Sequence, residues 1–151
     1  MVEFGLVLPV LFMLTVGLVD TGRAFYQYNS AANAAREAAR FASVMGGSQH
    51  HDTFDWTTSF NGNMPNTYAP STGHPVSQFA GTSTVVGTVA KVASGFDLST
   101  MIVTVSAPDP GGALPGNTVG IAIVYPFQPA SSLLIGGRTI TVTASSRMII
   151  E

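Results

Sequence analysis

Residues 1–46 read MVEFGLVLPVLFMLTVGLVDTGRAFYQYNSAANAAREAARFASVMG, and this stretch decides the fold. Its front part, from Phe4 to Val19, has no charged residue and twelve large apolar side chains. From Asp20 onward the sequence is amphipathic and rich in alanine. The pair Gly46-Gly47 that follows is typical of a helix C-terminus. The pattern predicts one long helix with an apolar front and an amphipathic back.

The apolar front of this helix is short for a membrane span. Sixteen helical residues rise about 24 Å at ~1.5 Å per residue, whereas a bilayer core of ~30 Å needs ~20 apolar residues. A secretory signal peptide fits the length, but no Lys or Arg precedes the run and no clean small-residue cleavage site follows it. A buried core helix is another reading. Both are weakened because the helical pattern continues well beyond the apolar run.

Small side chains recur along the back of the helix at a spacing of four. Ala31, Ala35 and Ala39 form one row, and a second alanine row lies beside it. Such rows let another backbone approach closely. Pro9, near the other end, removes a helical hydrogen bond. It predicts a simple kink, or else a weak point at which the helix stretches during assembly.

Polar and aromatic residues complete the back of the helix. Asp20 and Arg23, like Glu37 and Arg40, are spaced at i,i+3, and such pairs contribute only ~0.2–0.5 kcal/mol each. We interpret them as a solvated or inter-subunit face. Four side chains are expected to face a sheet: Phe25, Tyr28, Ala32 and Phe41.

The remainder of the chain predicts a small antiparallel sheet. Strands are expected at Met101–Ser106, at Thr118–Tyr125, where Pro126 ends the strand, and at Arg138–Ile150, because apolar and polar residues alternate there. Before them, Ser48 to Ala80 reads as a long loop. Gln78 to Ser94 reads as a short helix capped by Thr82 or Ser83.

The predicted fold is therefore α+β: a long N-terminal helix packed on a small antiparallel sheet, a lollipop in outline. We divide the chain into a helical stem, residues 1–46, and a β-rich head, residues 47–151, with the loop 48–80. The apolar face of the sheet needs a cover, and the back of the long helix is the natural one.

Composition limits the classes of function. Charged residues make up 9% of the 151 residues and the net charge is -2, which does not favour nucleic-acid binding. Cysteine is absent, so disulfides and cysteine-ligated metals are excluded. We find no catalytic triad order, phosphate loop or paired catalytic carboxylates, and we expect neither an enzyme nor a cofactor. His50-His51-Asp52, with His74 or Asp55, could bind a metal, but a solvated loop is the simpler interpretation.

The N-terminal third closely resembles TadE/TadG-like pilins, type IV pilin relatives found in tight-adherence secretion systems. The matching residues are Val2-Glu3-Phe4, Leu8-Pro9, Asp20-x-Gly22-Arg23, and Ala34 to Arg40. The resemblance continues loosely at Tyr125-Pro126-Phe127 and Thr139 to Ala144. It implies a structural subunit of an extracellular filament that polymerises through its N-terminal helix. A minor pilin of the same system, or a membrane-anchored binding module, is the alternative.

The resemblance also implies partners and an assembly role for particular residues. The partners are identical subunits in a helical filament, the inner membrane before assembly, and an assembly ATPase with its platform proteins. In type IV pilins a conserved glutamate near the mature N-terminus pairs with the α-amine of a neighbouring subunit. The resemblance gives that role to Glu3, which is third here and usually fifth in those pilins; an interfacial acid is the simpler alternative. The residues to which we assign assembly are Glu3, Phe4, Pro9, Gly17, Ala31, Ala35 and Ala39.

Overall fold

The computed structural model describes residues 2–47, 66–81, 84–93, 95–106, 116–132 and 137–151. Its helices are α1 (Val2–Gly47) and α2 (Val85–Val92), and its strands are β1 (Asn66–Tyr68), β2 (Ile102–Ser106), β3 (Thr118–Phe127) and β4 (Ile140–Ile149). Two 3₁₀ turns, Pro70–Thr72 and Val76–Phe79, lie between β1 and α2. The predicted α+β fold, a long helix on a small antiparallel sheet, is confirmed.

Helix α1 is continuous for 46 residues and contains Pro9. At ~1.5 Å per residue it is about 69 Å long. Among its described side chains, the first buried one is Asp20. We therefore call Val2–Val19 the free half of α1 and Asp20–Gly47 the covered half. The division of the chain at residue 46 follows the end of the helix and stays a prediction.

The sheet is a meander in the order β1-β2-β3-β4, and all its pairs are antiparallel. Burial alternates along β2 and much of β3 and β4, as the period-two pattern predicted. The inward residues of β3 include Val119, Ile121 and Ile123, which are almost completely buried. One face of the sheet therefore supplies an apolar layer that α1 and α2 cover.

The covered half of α1 packs on this layer through its alanines. Ala31, Ala35 and Ala39 are 0% exposed, and the same holds for the neighbouring row, Ala34, Ala38 and Ala42. They belong to the same cluster as the inward residues of the sheet and the valines of α2. The expectation that the back of the helix covers the sheet is thus confirmed.

The structure corrects the expected ends of two elements. Strand β3 does not end at Tyr125 but runs through Pro126 to Phe127. The last partner of β3 in β2 is Val124, so Pro126 lies where the strand has a neighbour on one side only, and a missing N–H is tolerated there. Strand β4 begins at Ile140, not at Arg138, and the Ile140 side chain is exposed.

The region before β2 also differs from the sequence prediction. Helix α2 starts at Val85, not Gln78, and Thr84 caps it by accepting the N–H of Gly87 at 3.0 Å. Gly81 has φ +85°, which ends the preceding 3₁₀ segment with a backbone that a helix does not allow. The proposed caps at positions 82 and 83 lie outside the described residues. Residues 66–80, expected in a loop, contain β1 and the two 3₁₀ turns, and residues 48–65 lie outside the described part.

Two aromatic side chains of α1 do not face the sheet. Phe25 and Tyr28 are exposed, whereas Ala32 and Phe41 are half-buried and pack against the core. The alanine rows already fill the face of the helix that meets the sheet. The larger rings lie on the side of the helix that turns away from it.

Candidate functional site

The free half of α1 presents its large apolar side chains to the outside of the protein. Phe4 is 81% exposed and Leu18 is 76% exposed, and the other exposed residues between them include Val7, Leu8, Val10, Leu11, Phe12, Met13 and Leu14. Each such side chain contributes ~1.5–3 kcal/mol when it is buried. A surface of this kind is not stable in water, and its presence marks a site of contact with lipid or protein.

By length and composition, the stretch Val7–Val44 of α1 could cross a membrane. Its most apolar 18-residue window is only 6% buried in the chain itself, unlike the core helix of a globular domain. The covered half of the stretch is occupied by the head. The free half is therefore the part that is open to a membrane or to other helices.

The predicted assembly residues fall into two structural groups. Glu3, Phe4, Pro9 and Gly17 lie in the free half of α1; the side chain of Glu3 is outside the described part. A Cβ added at Gly17 would meet nothing within 4 Å, so packing inside this chain does not require a glycine there. The assembly role of these four residues stays a prediction.

Ala31, Ala35 and Ala39 form the second group, and they lie in the core of their own chain. Being 0% exposed, they offer no surface to a second subunit in this conformation. The backbone that the small rows allow to approach is that of the chain's own sheet and α2. Their close packing therefore joins the helical stem to the head within one chain.

Asp20 lies at the boundary between the free half and the covered half of α1, and its side chain binds the head. The sequence analysis did not predict this role. Its Oδ1 accepts the N–H of Ala130 at 2.8 Å, and its Oδ2 accepts the N–H of Ser131 at 2.7 Å. The side chain is 8% exposed, and Arg23 lies 3.9 Å from it. The expected i,i+3 pair is present, but the two backbone contacts are shorter and better buried. The partners lie 110 and 111 residues away, so the local sequence carries no signal of them.

Beside Asp20, the underside of the head has a cavity of about 400 Å³. Its lining comprises Arg23, Gln27, Asp97, Thr100, Tyr125, Pro126, Phe127, Gln128 and Thr139. The Arg23 guanidinium lies over the Phe127 ring, 5.7 Å from its centroid, which is within the range of a cation–π contact. The cavity is thus built from α1, the end of β3 and the segment before β2.

Asp97 is positioned in this lining by its own loop. Its Oδ1 accepts the Ser99 hydroxyl at 2.6 Å and the Ser99 N–H at 3.0 Å. The hydroxyl hydrogen bond, followed by that of the amide, lowers the pKa of Asp97 below its ordinary value. The carboxylate is therefore ionised at neutral pH, and it faces the same cavity as Arg23.

The proposed metal ligands are not brought together in the described structure. His50, His51, Asp52 and Asp55 lie outside the described residues, and His74 lies in the turn before the second 3₁₀ segment. Within the ranges that the structure describes, no group of three or more His, Cys, Asp or Glu could hold a metal ion. The other ion pair on α1, Glu37 with Arg40 at 3.8 Å, is largely exposed, as expected.

The free half of α1 and its junction with the head fall within a stretch that matches a known protein family. A family model described as TadE-like protein matches residues 1–40. The N-terminal segment is thus similar to this family. The match covers the free half, Asp20 and most of the alanine rows, and it confirms the resemblance that the sequence indicated. Comparisons with curated proteins and with solved structures find no match.

The TadE-like match implies a protein associated with a tight-adherence pilus system. The apolar free half of α1 is compatible with membrane anchoring in such a system. The match ends before the first strand of the sheet.

Proposed function

We propose that this chain is a structural subunit of an extracellular, type IV pilus-like filament that polymerises through the free half of α1. The observation that carries the proposal is the division of one continuous helix into two surfaces. From Asp20 on, small side chains are buried in the chain's own head. Before Asp20, large apolar side chains are exposed and need an external cover. A pilin has two such covers in succession, the membrane and then the other stems.

The energetics of the two covers support assembly without a large hydrophobic driving force. Lipid tails are about as apolar as leucine, so moving the free half from lipid into a bundle of stems gains little hydrophobic energy. Close packing and specific polar contacts must then favour the bundle. Release into water would expose twelve large apolar side chains at ~1.5–3 kcal/mol each, so a filament subunit remains either inserted or assembled.

The free half has features that suit packing between helices. Leaving aside the helix's own backbone, a Cβ at Gly5 or Gly17 would meet no atom of the described residues within 4 Å, so room remains for a neighbouring helix. The Thr15 hydroxyl donates to the Leu11 carbonyl at 2.8 Å. Just beyond the free half, the Thr21 hydroxyl donates to the Gly17 carbonyl at 2.8 Å. These polar groups are satisfied within the helix, so they can enter an apolar bundle without an unpaired donor.

The proposal includes the partners and location that the resemblance implies. The subunit is first held in the inner membrane with its head outside. An assembly ATPase and platform proteins then move it into the filament, where Glu3 pairs with the α-amine of a neighbour. A head-to-tail contact that does not close yields a helical filament. The protein acts by assembly and adhesion at the cell surface, without catalysis, cofactor or nucleic acid.

Cryo-electron microscopy of the sheared cell-surface fraction tests this proposal. We expect filaments whose core is a bundle of α1 helices and whose outer layer is the sheet domain, with Glu3 near a neighbour's N-terminus. A filament that contains this chain only at its tip would identify a minor pilin. A chain that stays in the membrane as a monomer, with no filament in the fraction, would contradict the proposal and favour an anchored binding module.

A further inference from the structure

Three exposed aromatic residues lie on α1 just beyond its free half. Phe25, Tyr26 and Tyr28 each have half or more of their surface exposed. Phe25 continues the exposed face that carries Leu18 and Gly22, because these residues are spaced at i+4 and i+3. At about 100° per residue, Tyr26 and Tyr28 flank Phe25 on the two sides of that face. The side of α1 that the head leaves open therefore stays mainly apolar and aromatic for about two turns beyond the free half.

The added turns, residues 20–25, complete a segment that is long enough for a membrane. The apolar run Phe4–Val19 rises only about 24 Å, whereas the hydrocarbon core of a bilayer is ~30 Å thick. Phe4–Phe25 has 22 residues and rises about 33 Å. The exposed face of α1 therefore matches a bilayer when its end is placed at Phe25 rather than at Val19.

The polar side chains of the added turns have partners within the chain. Asp20 accepts two backbone N–H groups of the head, and the Thr21 hydroxyl donates to a carbonyl one turn earlier. Arg23 lies 3.9 Å from Asp20 and over the Phe127 ring. Removal from water costs less when a polar group is already hydrogen-bonded or paired, and a long basic side chain near the end of a span can extend to the interface. The two charges of the added turns therefore do not prevent them from entering the edge of a bilayer.

We propose that Phe25, Tyr26 and Tyr28 form an interfacial belt that binds the lipid surface and places the bilayer boundary at these rings. Tyrosine is enriched at the membrane–water interface, where its ring lies in an apolar layer and its hydroxyl reaches water. The inference rests on the membrane stage of the proposed function. It accounts for the exposure of Phe25 and Tyr28, which the sequence placed against the sheet, and for the shortness of the apolar run.

The belt fixes the height of the head above the membrane. Asp20 fastens the segment after β3 to the turns of α1 that precede the belt. The Tyr26 ring lies beside Gly95 of the head, where an added Cβ would be 3.7 Å from the Tyr26 Cε1. The end of the head that contacts these residues therefore rests on the headgroup layer, with no free stretch of helix between them.

Spin labelling of the full chain in lipid vesicles locates the boundary. The chain has no cysteine, so single labelled variants have no background, and three positions on the open face suit the label: Leu18→Cys, Gly22→Cys and Asn29→Cys. In vesicles of phosphatidylethanolamine and phosphatidylglycerol, collision with oxygen reports the hydrocarbon and collision with a nickel chelate reports water. We expect the change from oxygen access to nickel access between Gly22 and Asn29. A change between Leu18 and Gly22 would place the boundary at Val19 and overturn the belt, while the membrane stage would stand.

Substitution of the belt tests whether the rings set this depth. In Phe25→Ser/Tyr28→Ser, the Gly22 label should shift toward water by about one helical turn, ~5 Å. Val44→Ser is the matched control, because it also replaces an exposed apolar side chain of α1 with a hydroxyl and lies about 24 Å beyond Tyr28 along the helix. All three side chains are exposed, so the thermal midpoint of the head should keep its wild-type value in both variants. An unchanged label depth in the double variant would overturn the proposal.

Two further outcomes separate the belt from the proposed function and from a contact between subunits. A folded chain that does not insert into the vesicles would overturn both the belt and the membrane stage. A Gly22 label that is open to nickel in vesicles and becomes shielded only in filaments would show that the aromatic face contacts other copies of the chain, and the lipid proposal would fail.

Discussion

At the scale of single residues, Asp20 shows how one side chain joins two parts of the molecule. Its carboxylate accepts two backbone N–H groups from the segment after β3. Without it those two donors would lose their partner at a site that is largely shielded from water, which costs stability. The residue belongs to the Asp-x-Gly-Arg part of the TadE-like segment. Its contacts within the chain explain why an aspartate occupies this position without any role in assembly.

Asp20→Ala should therefore lower the thermal midpoint of the head clearly more than Glu37→Ala does. Both changes remove the acid of an i,i+3 pair with arginine, but Glu37 is half-exposed and its pair contributes little. Circular dichroism of the full chain in mild detergent measures both midpoints. Equal midpoints for the two variants would show that the contacts of Asp20 with Ala130 and Ser131 do not stabilise the junction.

Gly120 is a second residue whose identity follows from packing. A Cβ at this position in β3 would lie 2.9 Å from the Ser106 Oγ and 3.7 Å from the Arg147 Cγ, on the two neighbouring strands. Gly120→Ala should cost about 1–3 kcal/mol of unfolding free energy through overpacking. Gly22→Ala, where the Cβ meets nothing within 4 Å, should be neutral or stabilising by about 0.5–1 kcal/mol in the helix.

Denaturant unfolding measures both glycine variants, and a double variant identifies the cause. Ser106→Ala removes the hydroxyl that the new methyl group would meet. In the Gly120→Ala background it should recover part of the lost stability, because the two positions are in contact. Additive effects of the two substitutions would mean that the close approach to Ser106 is not the origin of the cost.

At the scale of elements, the covered half of α1 is defined by side-chain size. The alanine rows bring the helix close to β3, β4 and α2 without any room for a larger group, since the alanines are completely buried. This is also why Phe25 and Tyr28 are excluded from the sheet-facing side. The covered half of α1 therefore has small side chains on the face toward the sheet and larger ones on the other faces, in addition to its division into apolar and polar faces.

Ala35→Leu should separate the core role of the alanines from a role between subunits. Added methyl groups in a full core cost about 1–3 kcal/mol, so the variant should unfold earlier as a monomer in detergent. Asn29→Leu, at an exposed position of the same helix, should change the unfolding free energy little. If Ala35→Leu leaves monomer stability intact and only prevents filament formation, the core assignment is wrong.

The sequence predicts those elements that local patterns determine. The apolar run, the alanine spacing and the alternation in β2, β3 and β4 each lie within one segment, so the fold class and the strands follow from them. The extent of β3 beyond Tyr125 depends on its pairing with β4, and the start of α2 depends on the backbone at Gly81. The contacts of Asp20 and the cavity around Arg23 and Gln27 join segments about 100 residues apart. Such features are set by tertiary packing, which a single sequence does not display.

At the scale of the whole molecule, a substitution at Glu3 tests filament assembly separately from folding of the head. Glu3→Gln removes the charge that the proposed pairing with a neighbour's α-amine needs, and it lies far along α1 from the head. We expect loss of filaments in the sheared fraction, while the protein remains in the membrane and the head keeps its thermal midpoint. Glu37→Gln is the control for loss of one acid from the same helix. Wild-type levels of filament in Glu3→Gln would leave only the interfacial role for this residue.

The division of α1 at Asp20 leads to a prediction about the protein as a whole. Among the described side chains of the helix, the buried ones begin at Asp20, so a chain of residues 20–151 keeps the packing of the head and loses the exposed apolar surface. We expect it to be soluble without detergent, folded with the same sheet, and monomeric by analytical ultracentrifugation. A chain of residues 47–151, cut at the end of the helix instead, loses the alanine rows that cover the sheet and should aggregate or fail to fold. If the shorter chain folds and the longer one does not, the stem and the head are divided at the end of the helix; the opposite result shows that the back of the helix is part of the head.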